Sequence, residues 1–135
     1  MFAISACPSR LLPVCRCILQ GLRSIHATGF GHGDLRWENV ILVPPRRYIL
    51  IDLESVIKLG SKVQLPYPAA FESGQSLSRD GRYTEASDLY SLGAMMEASQ
   101  VPLSDQGESF VWELKASRAT VSAALQNGWL QQRLQ

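Results

Sequence analysis

His32-Gly33-Asp34-Leu35-Arg36-Trp37-Glu38-Asn39, followed thirteen positions later by Asp52, is the stretch on which the reading of this chain turns. Between its ends lie Val40 to Val43, then Pro44-Pro45-Arg46-Arg47, then Tyr48-Ile49-Leu50-Ile51. Two short β-prone runs parted by a proline-bearing turn predict a hairpin. Hairpin strands run about 5 Å apart, so Asn39 at the entrance of the first and Asp52 at the exit of the second are expected to meet. One hairpin then gathers a carboxylate (Asp34), a cation two residues on (Arg36), an amide and a second carboxylate. Phosphoryl transfer asks for that set, because its catalysis is mostly positioning and charge neutralisation. It needs a carboxylate near the incoming hydroxyl and a cation for the moving phosphate. It also needs oxygen donors for magnesium, a hard ion that takes one or two carboxylates plus phosphate oxygens. Asp34 is the candidate base, Arg36 the phosphate contact, and Asn39 and Asp52 the candidate magnesium ligands.

Working outward, Leu11, Val14, Cys15, Ile18, Leu19, Leu22 and Ile25 recur at helical spacing and predict an amphipathic helix from about Leu11 to Ala27. Gly29 is the expected stop, with His26 in the last turn. On the other side, Val56 to Leu59 is expected to form a further strand closing against the hairpin. Gly60 to Tyr83 carries glycine, proline and serine without a period and reads as a long loop. Thr84 is a candidate cap for a helix over about 84–99, whose Leu89, Leu92, Gly93 and Met96 predict burial. Pro102 ends that region. Helices are expected over Glu108–Lys115 and Thr120–Leu134, divided near Ser117.

The segment resembles the protein-kinase catalytic loop, in which His-Arg-Asp is followed by Asn five residues after the Asp. The preceding run, Ser24-Ile25-His26-Ala27-Thr28-Gly29, is similar to the end of the family's helix before that loop. Asp52-Leu53-Glu54 stands where the family has Asp-Phe-Gly. Ser87-Asp88-Leu89-Tyr90-Ser91-Leu92-Gly93 is similar to the family's buried central helix. The resemblance runs from about Leu11 to Met96. It implies an α+β, mainly α fold: a C-terminal kinase lobe with a short hairpin beside the catalytic loop. Residues 1–135 would form a single partial domain, with the catalytic loop at 32–39, the metal segment at 52–54 and the central helix at about 84–99. By resemblance Asp34 is the catalytic base and Arg36 stands in for the phosphate-contacting lysine. Asn39 and Asp52 hold magnesium beside ATP, His32 packs beneath the metal segment, and Asp88 anchors the loop.

The departures are informative too. Gly33 replaces an arginine that in many kinases clamps a phosphorylated loop. Glu54 replaces the glycine of Asp-Phe-Gly, removing a position that tolerates φ > 0 and adding charge. Pro68-Ala69-Ala70-Phe71-Glu72 is a faint echo of Ala-Pro-Glu. A Gly-x-Gly-x-x-Gly loop is absent, and Lys58, Lys62 and Lys115 all follow the catalytic segment. The phosphate-gripping lobe is therefore expected to come from elsewhere. Taken singly, each residue has a plainer role: Asp34 in a turn, His32 in the core, Arg36 on the surface, Trp37 and Met95-Met96 in packing. Their joint order carries the signal.

Composition bounds the alternatives. The 135 residues are 46% apolar and 19% charged, with a formal net charge of +1 and a mean hydropathy of −0.01. That suits one soluble domain and supplies no basic footprint for nucleic acid or anionic lipid. Met1 to Cys7 lacks a basic n-region, and Arg10 and Pro13 break the apolar run, so no leader or membrane span is expected and a cytoplasmic location is. Cys7, Cys15 and Cys17 are too few and too close for a disulfide framework. Cys15-x-Cys17 lacks the partners a zinc site needs. Three functions follow. The first is a Ser/Thr-type protein kinase lobe acting on a protein substrate once an N-lobe, upstream or from a partner, completes it. The second is a small-molecule phosphotransferase of the aminoglycoside or choline type, suggested by His-Gly-Asp and Asp-x-Glu. The third is a catalytically dead, pseudokinase-like binding or scaffold fragment.

Overall fold

The computed structural model describes residues 8–64, 75–116 and 119–132. Cys7, the Pro68–Glu72 echo, part of the long loop and the last residues of the expected final helix lie outside the described residues. Helix α1 spans Pro8–Ala27, three residues earlier than periodicity suggests, and Pro13 lies within it. Leu11, Val14, Cys15, Ile18, Leu19 and Leu22 are all buried, so the apolar stripe that predicts the helix is the stripe it packs with. Gly29 ends it at φ 87°, its N–H bonded to the His26 carbonyl at 2.9 Å. Such a left-handed position suits glycine because no Cβ meets the preceding carbonyl.

Strand β1 (Phe30–Gly31) follows at once, and the hairpin forms from β2 (Val40–Val43) and β3 (Arg47–Leu50). Its register pairs Val40 with Leu50, Ile41 with Ile49, Leu42 with Tyr48 and Val43 with Arg47. Paired residues share a side of the ladder. Val40 is buried in the core, with Tyr48 and Leu50 packed against it. Ile41, Val43 and Ile49 stay exposed on the opposite side.

The expected strand near Val56–Leu59 exists as β4 (Ile57–Lys58), but it does not join the hairpin. It pairs antiparallel with β1, Phe30 opposite Lys58 and Gly31 opposite Ile57, giving two separate two-stranded sheets among the described residues. The reason is local. Asp52 adopts left-handed backbone (φ 63°, ψ 76°) and a 3₁₀ turn over Leu53–Ser55 follows, turning the chain away from β2 before it extends again.

Helix α2 (Glu85–Ala98) begins where Ser87 Oγ accepts from the Thr84 N–H at 2.9 Å. Its Leu89, Leu92, Met95 and Met96 are buried with α1 in one core. Helix α3 (Asp105–Leu114) starts earlier than expected because Ser104 caps it, accepting from the Gly107 N–H at 3.2 Å. Helix α4 (Val121–Leu125) is much shorter than the Thr120–Leu134 reading. Asn127 Oδ1 accepts from the Trp129 N–H at 2.9 Å, which closes a turn instead of another helical one. That turn lays Trp129 on Phe110, ring centroids 5.2 Å apart, and Arg16 donates to the Leu130 carbonyl. No helix among the described residues is long and apolar enough to cross a membrane.

Candidate active site

The loop from Gly31 to Asn39 has little regular structure, so its shape depends on where its polar groups bond. Asp88, wholly buried in the first turn of α2, is the hub. Its carboxylate accepts from the His32 N–H at 2.9 Å and the Gly33 N–H at 3.3 Å. It also accepts from the Tyr83 hydroxyl and lies 2.7 Å from His26 Nε2. The other nitrogen of His26, Nδ1, lies 3.3 Å from Glu85 Oε1. Burial, and then the Asp88 charge beside it, push the Tyr83 phenol well above its ordinary range, so it stays a donor. These contacts fasten the end of α1, the loop and α2 to one carboxylate.

His32 supplies the second fastening. Its Nδ1 accepts from the Asp34 N–H at 3.2 Å, and its Nε2 lies 3.0 Å from the Ile51 carbonyl. One tautomer, protonated at Nε2, satisfies both contacts. The ring thus ties the start of the loop to the residue before Asp52. A third fastening comes from Trp37, whose indole N–H donates to the Met95 carbonyl at 2.9 Å.

These ties leave Asp34 with a largely buried side chain whose oxygens face two partners. Arg36 Nε lies 3.3 Å from Oδ1, and the Asn39 amide donates to Oδ2 at 3.2 Å. The same amide donates to the Asp34 carbonyl at 2.8 Å. Asn39 is buried, while the Arg36 side chain is 58% exposed and also lies 3.7 Å from Glu38. Asp34, Arg36 and Asn39 are therefore brought together. Asp52 enters through the backbone: the Ile51 N–H donates to the Asn39 carbonyl at 2.9 Å, which places Asp52 next to that pairing. Its carboxylate accepts from the Glu54 N–H at 3.4 Å. Among the described residues no three His, Cys, Asp or Glu side chains form a group able to hold a metal.

Gly33 has a geometric reason to be glycine. Its φ is +83°, and a Cβ there would collide with the Ser55 carbonyl oxygen. The 3₁₀ turn after Asp52 presses against the loop there. Gly33→Ala is expected to cost about 2–3 kcal/mol, combining left-handed backbone with overpacking. Urea unfolding followed by circular dichroism checks this; an unchanged midpoint would mean the two segments do not touch.

Sequence reasoning placed Asp88 under the loop by resemblance but did not connect it to His26 or Tyr83. His26 was visible as a residue of the helix end. Nothing local to Tyr83, the last residue of a long loop, marks it as a buried donor.

The described residues, mainly helical with two small antiparallel sheets, resemble part of a protein-kinase fold. Among solved structures it is similar to the Cydia pomonella granulovirus kinase PK-1, with a TM-score of 0.68 and 14% identity. The match covers 90% of this chain and 59% of that one, so the chain spans little more than half the length of the kinase it matches. At that identity the likeness is one of fold alone. No protein-family model matches the chain, and no curated protein does.

Proposed function

We propose that the chain is the C-terminal, catalytic lobe of a protein-kinase-like phosphotransferase, which moves the γ-phosphoryl group of ATP to a Ser or Thr hydroxyl of a protein once a phosphate-gripping lobe completes it. The observation that carries this reading is the division of labour within Asn39. Its amide N–H₂ is spent on Asp34, and its Oδ1 has no hydrogen bond among the described residues. Its backbone carbonyl, meanwhile, brings Asp52 alongside.

In this reading Asp34, oriented by Asn39 and Arg36, accepts the proton of the attacking hydroxyl. Arg36 turns its exposed guanidinium to the phosphate. Asn39 Oδ1 and the Asp52 carboxylate are the hard oxygen donors that suit magnesium, which completes its shell from phosphate and water rather than from a protein cage. When bound, that ion supplies charge neutralisation of the phosphates. Asp52 holds left-handed backbone without being glycine, a strain that persists only where the surroundings dictate it. The exposed Ile41, Val43 and Ile49, on the outer side of the hairpin, give an apolar surface for the completing lobe.

A second reading, a non-catalytic binding module, is favoured by the Asp52–Glu54 segment. The Asp52 carboxylate caps the Glu54 N–H, and Glu54 adds a second negative charge there. Calorimetric titration of the chain with magnesium and a non-hydrolysable ATP analogue separates the two. Binding should need magnesium. It should also weaken at least tenfold in Asp52→Ala, since even outer partners of a metal are worth about 10–100-fold in affinity. An absence of heat with the parent chain would favour the binding module.

A further inference from the structure

Trp112 is 82% exposed, far more than any other large apolar side chain among the described residues. It lies on α3, whose inner face needs nothing from it: Gly107, Phe110, Val111 and Leu114 bury that side. On the outer face Asp105, Glu108, Ser109, Trp112, Glu113 and Ala116 follow helical spacing and line an open groove of about 550 Å³. Three of these six are carboxylates, and among the described residues no Lys or Arg lines the groove. Asp105 and Glu108 make no ion pair or side-chain hydrogen bond among the described residues, while Glu113 accepts from the Asn127 amide. Lys115, the nearest cation along the helix, is engaged elsewhere: it donates to Glu97 at 2.5 Å and lies over the Tyr90 ring at 5.1 Å.

We propose that the outer face of α3 is a docking surface for a basic segment of a partner protein, anchored on Trp112. Charge decides the occupant. An exposed indole ringed by carboxylates suits an arginine-bearing segment, because a guanidinium stacks on the ring while its neighbours pair with the acids. Trp is also the side chain that most often dominates an interface once covered. A membrane surface is disfavoured, since anionic headgroups repel this stripe. A symmetric contact between two copies would set acids against acids. The proposal is independent of phosphotransfer.

The test uses the whole chain and fluorescence anisotropy of a labelled peptide of three Arg-Arg-Leu repeats, with a Glu-Glu-Leu counterpart as control. The basic peptide is expected to bind, to weaken as salt rises, and to lose about tenfold or more in affinity in Trp112→Ala. A double Asp105→Asn, Glu108→Gln variant should weaken binding and flatten the salt dependence. Because Trp112 is exposed, unchanged circular dichroism should accompany each loss. Equal binding of the acidic peptide, no binding of the basic one, or full affinity in Trp112→Ala overturns the proposal. So does a dimer in sedimentation velocity that Trp112→Ala dissociates, which would make the occupant a second copy.

Discussion

Asp88→Ala is expected to lower the thermal midpoint by about 10 °C or more, at a cost of roughly 3–5 kcal/mol, although Asp88 is given no part in the chemistry. The reason lies in what the truncation strands. Two backbone N–H groups and His26 Nε2 face this carboxylate and lose that partner in a buried setting when it is removed, and the Tyr83 hydroxyl loses its bond to it as well. Each unsatisfied buried group costs about 1–3 kcal/mol, which outweighs the desolvation relieved by deleting one acid. Asp88→Asn should fall between Ala and the parent, because one amide oxygen can still accept while the amide N–H₂ cannot. Thermal and urea unfolding followed by circular dichroism measure all three. A midpoint for the Ala variant within a degree or two of the parent would show that the loop is held by something else.

Asp34→Asn is expected to show the reverse profile: little change in stability and, with the phosphate-gripping lobe supplied, transfer of labelled γ-phosphate to a generic protein substrate reduced about 10²–10⁴-fold. The carboxylate is partly open, its contacts to Arg36 and Asn39 are long, and the loop around it is held through backbone groups the substitution leaves in place. An amide keeps one oxygen for those partners but cannot take a proton from a hydroxyl. Asp34→Asn transferring as fast as the parent would remove Asp34 from the chemistry, whereas a parent that, with the lobe supplied, binds magnesium-nucleotide without transferring would confine the chain to binding. Measured together, the two variants separate a residue that holds the loop from one that works in it.

Much of this was legible locally. The apolar stripe from Leu11 to Leu22, the glycine stop at Gly29, the paired β-prone runs and the start of α2 each rest on residues within one or two turns of one another. The cluster of Asp34, Arg36 and Asn39 was legible for the same reason, spanning only six positions. The two poorest readings, β4 on the hairpin and a long final helix, failed where a polar turn outranked a run of favourable residues: Asp52 with its 3₁₀ turn in one case, Asn127 in the other.

By itself, then, the order of residues determined the helices, the hairpin and the short loop of chemical groups, because periodicity and turn chemistry act over a few residues. Only the tertiary structure decided that β4 meets β1, and that His26, Tyr83 and the His32–Gly33 backbone converge on Asp88 across as many as 62 positions. Such convergence is settled by which polar groups are buried together and must satisfy one another, and nothing in the neighbourhood of any one of them encodes that.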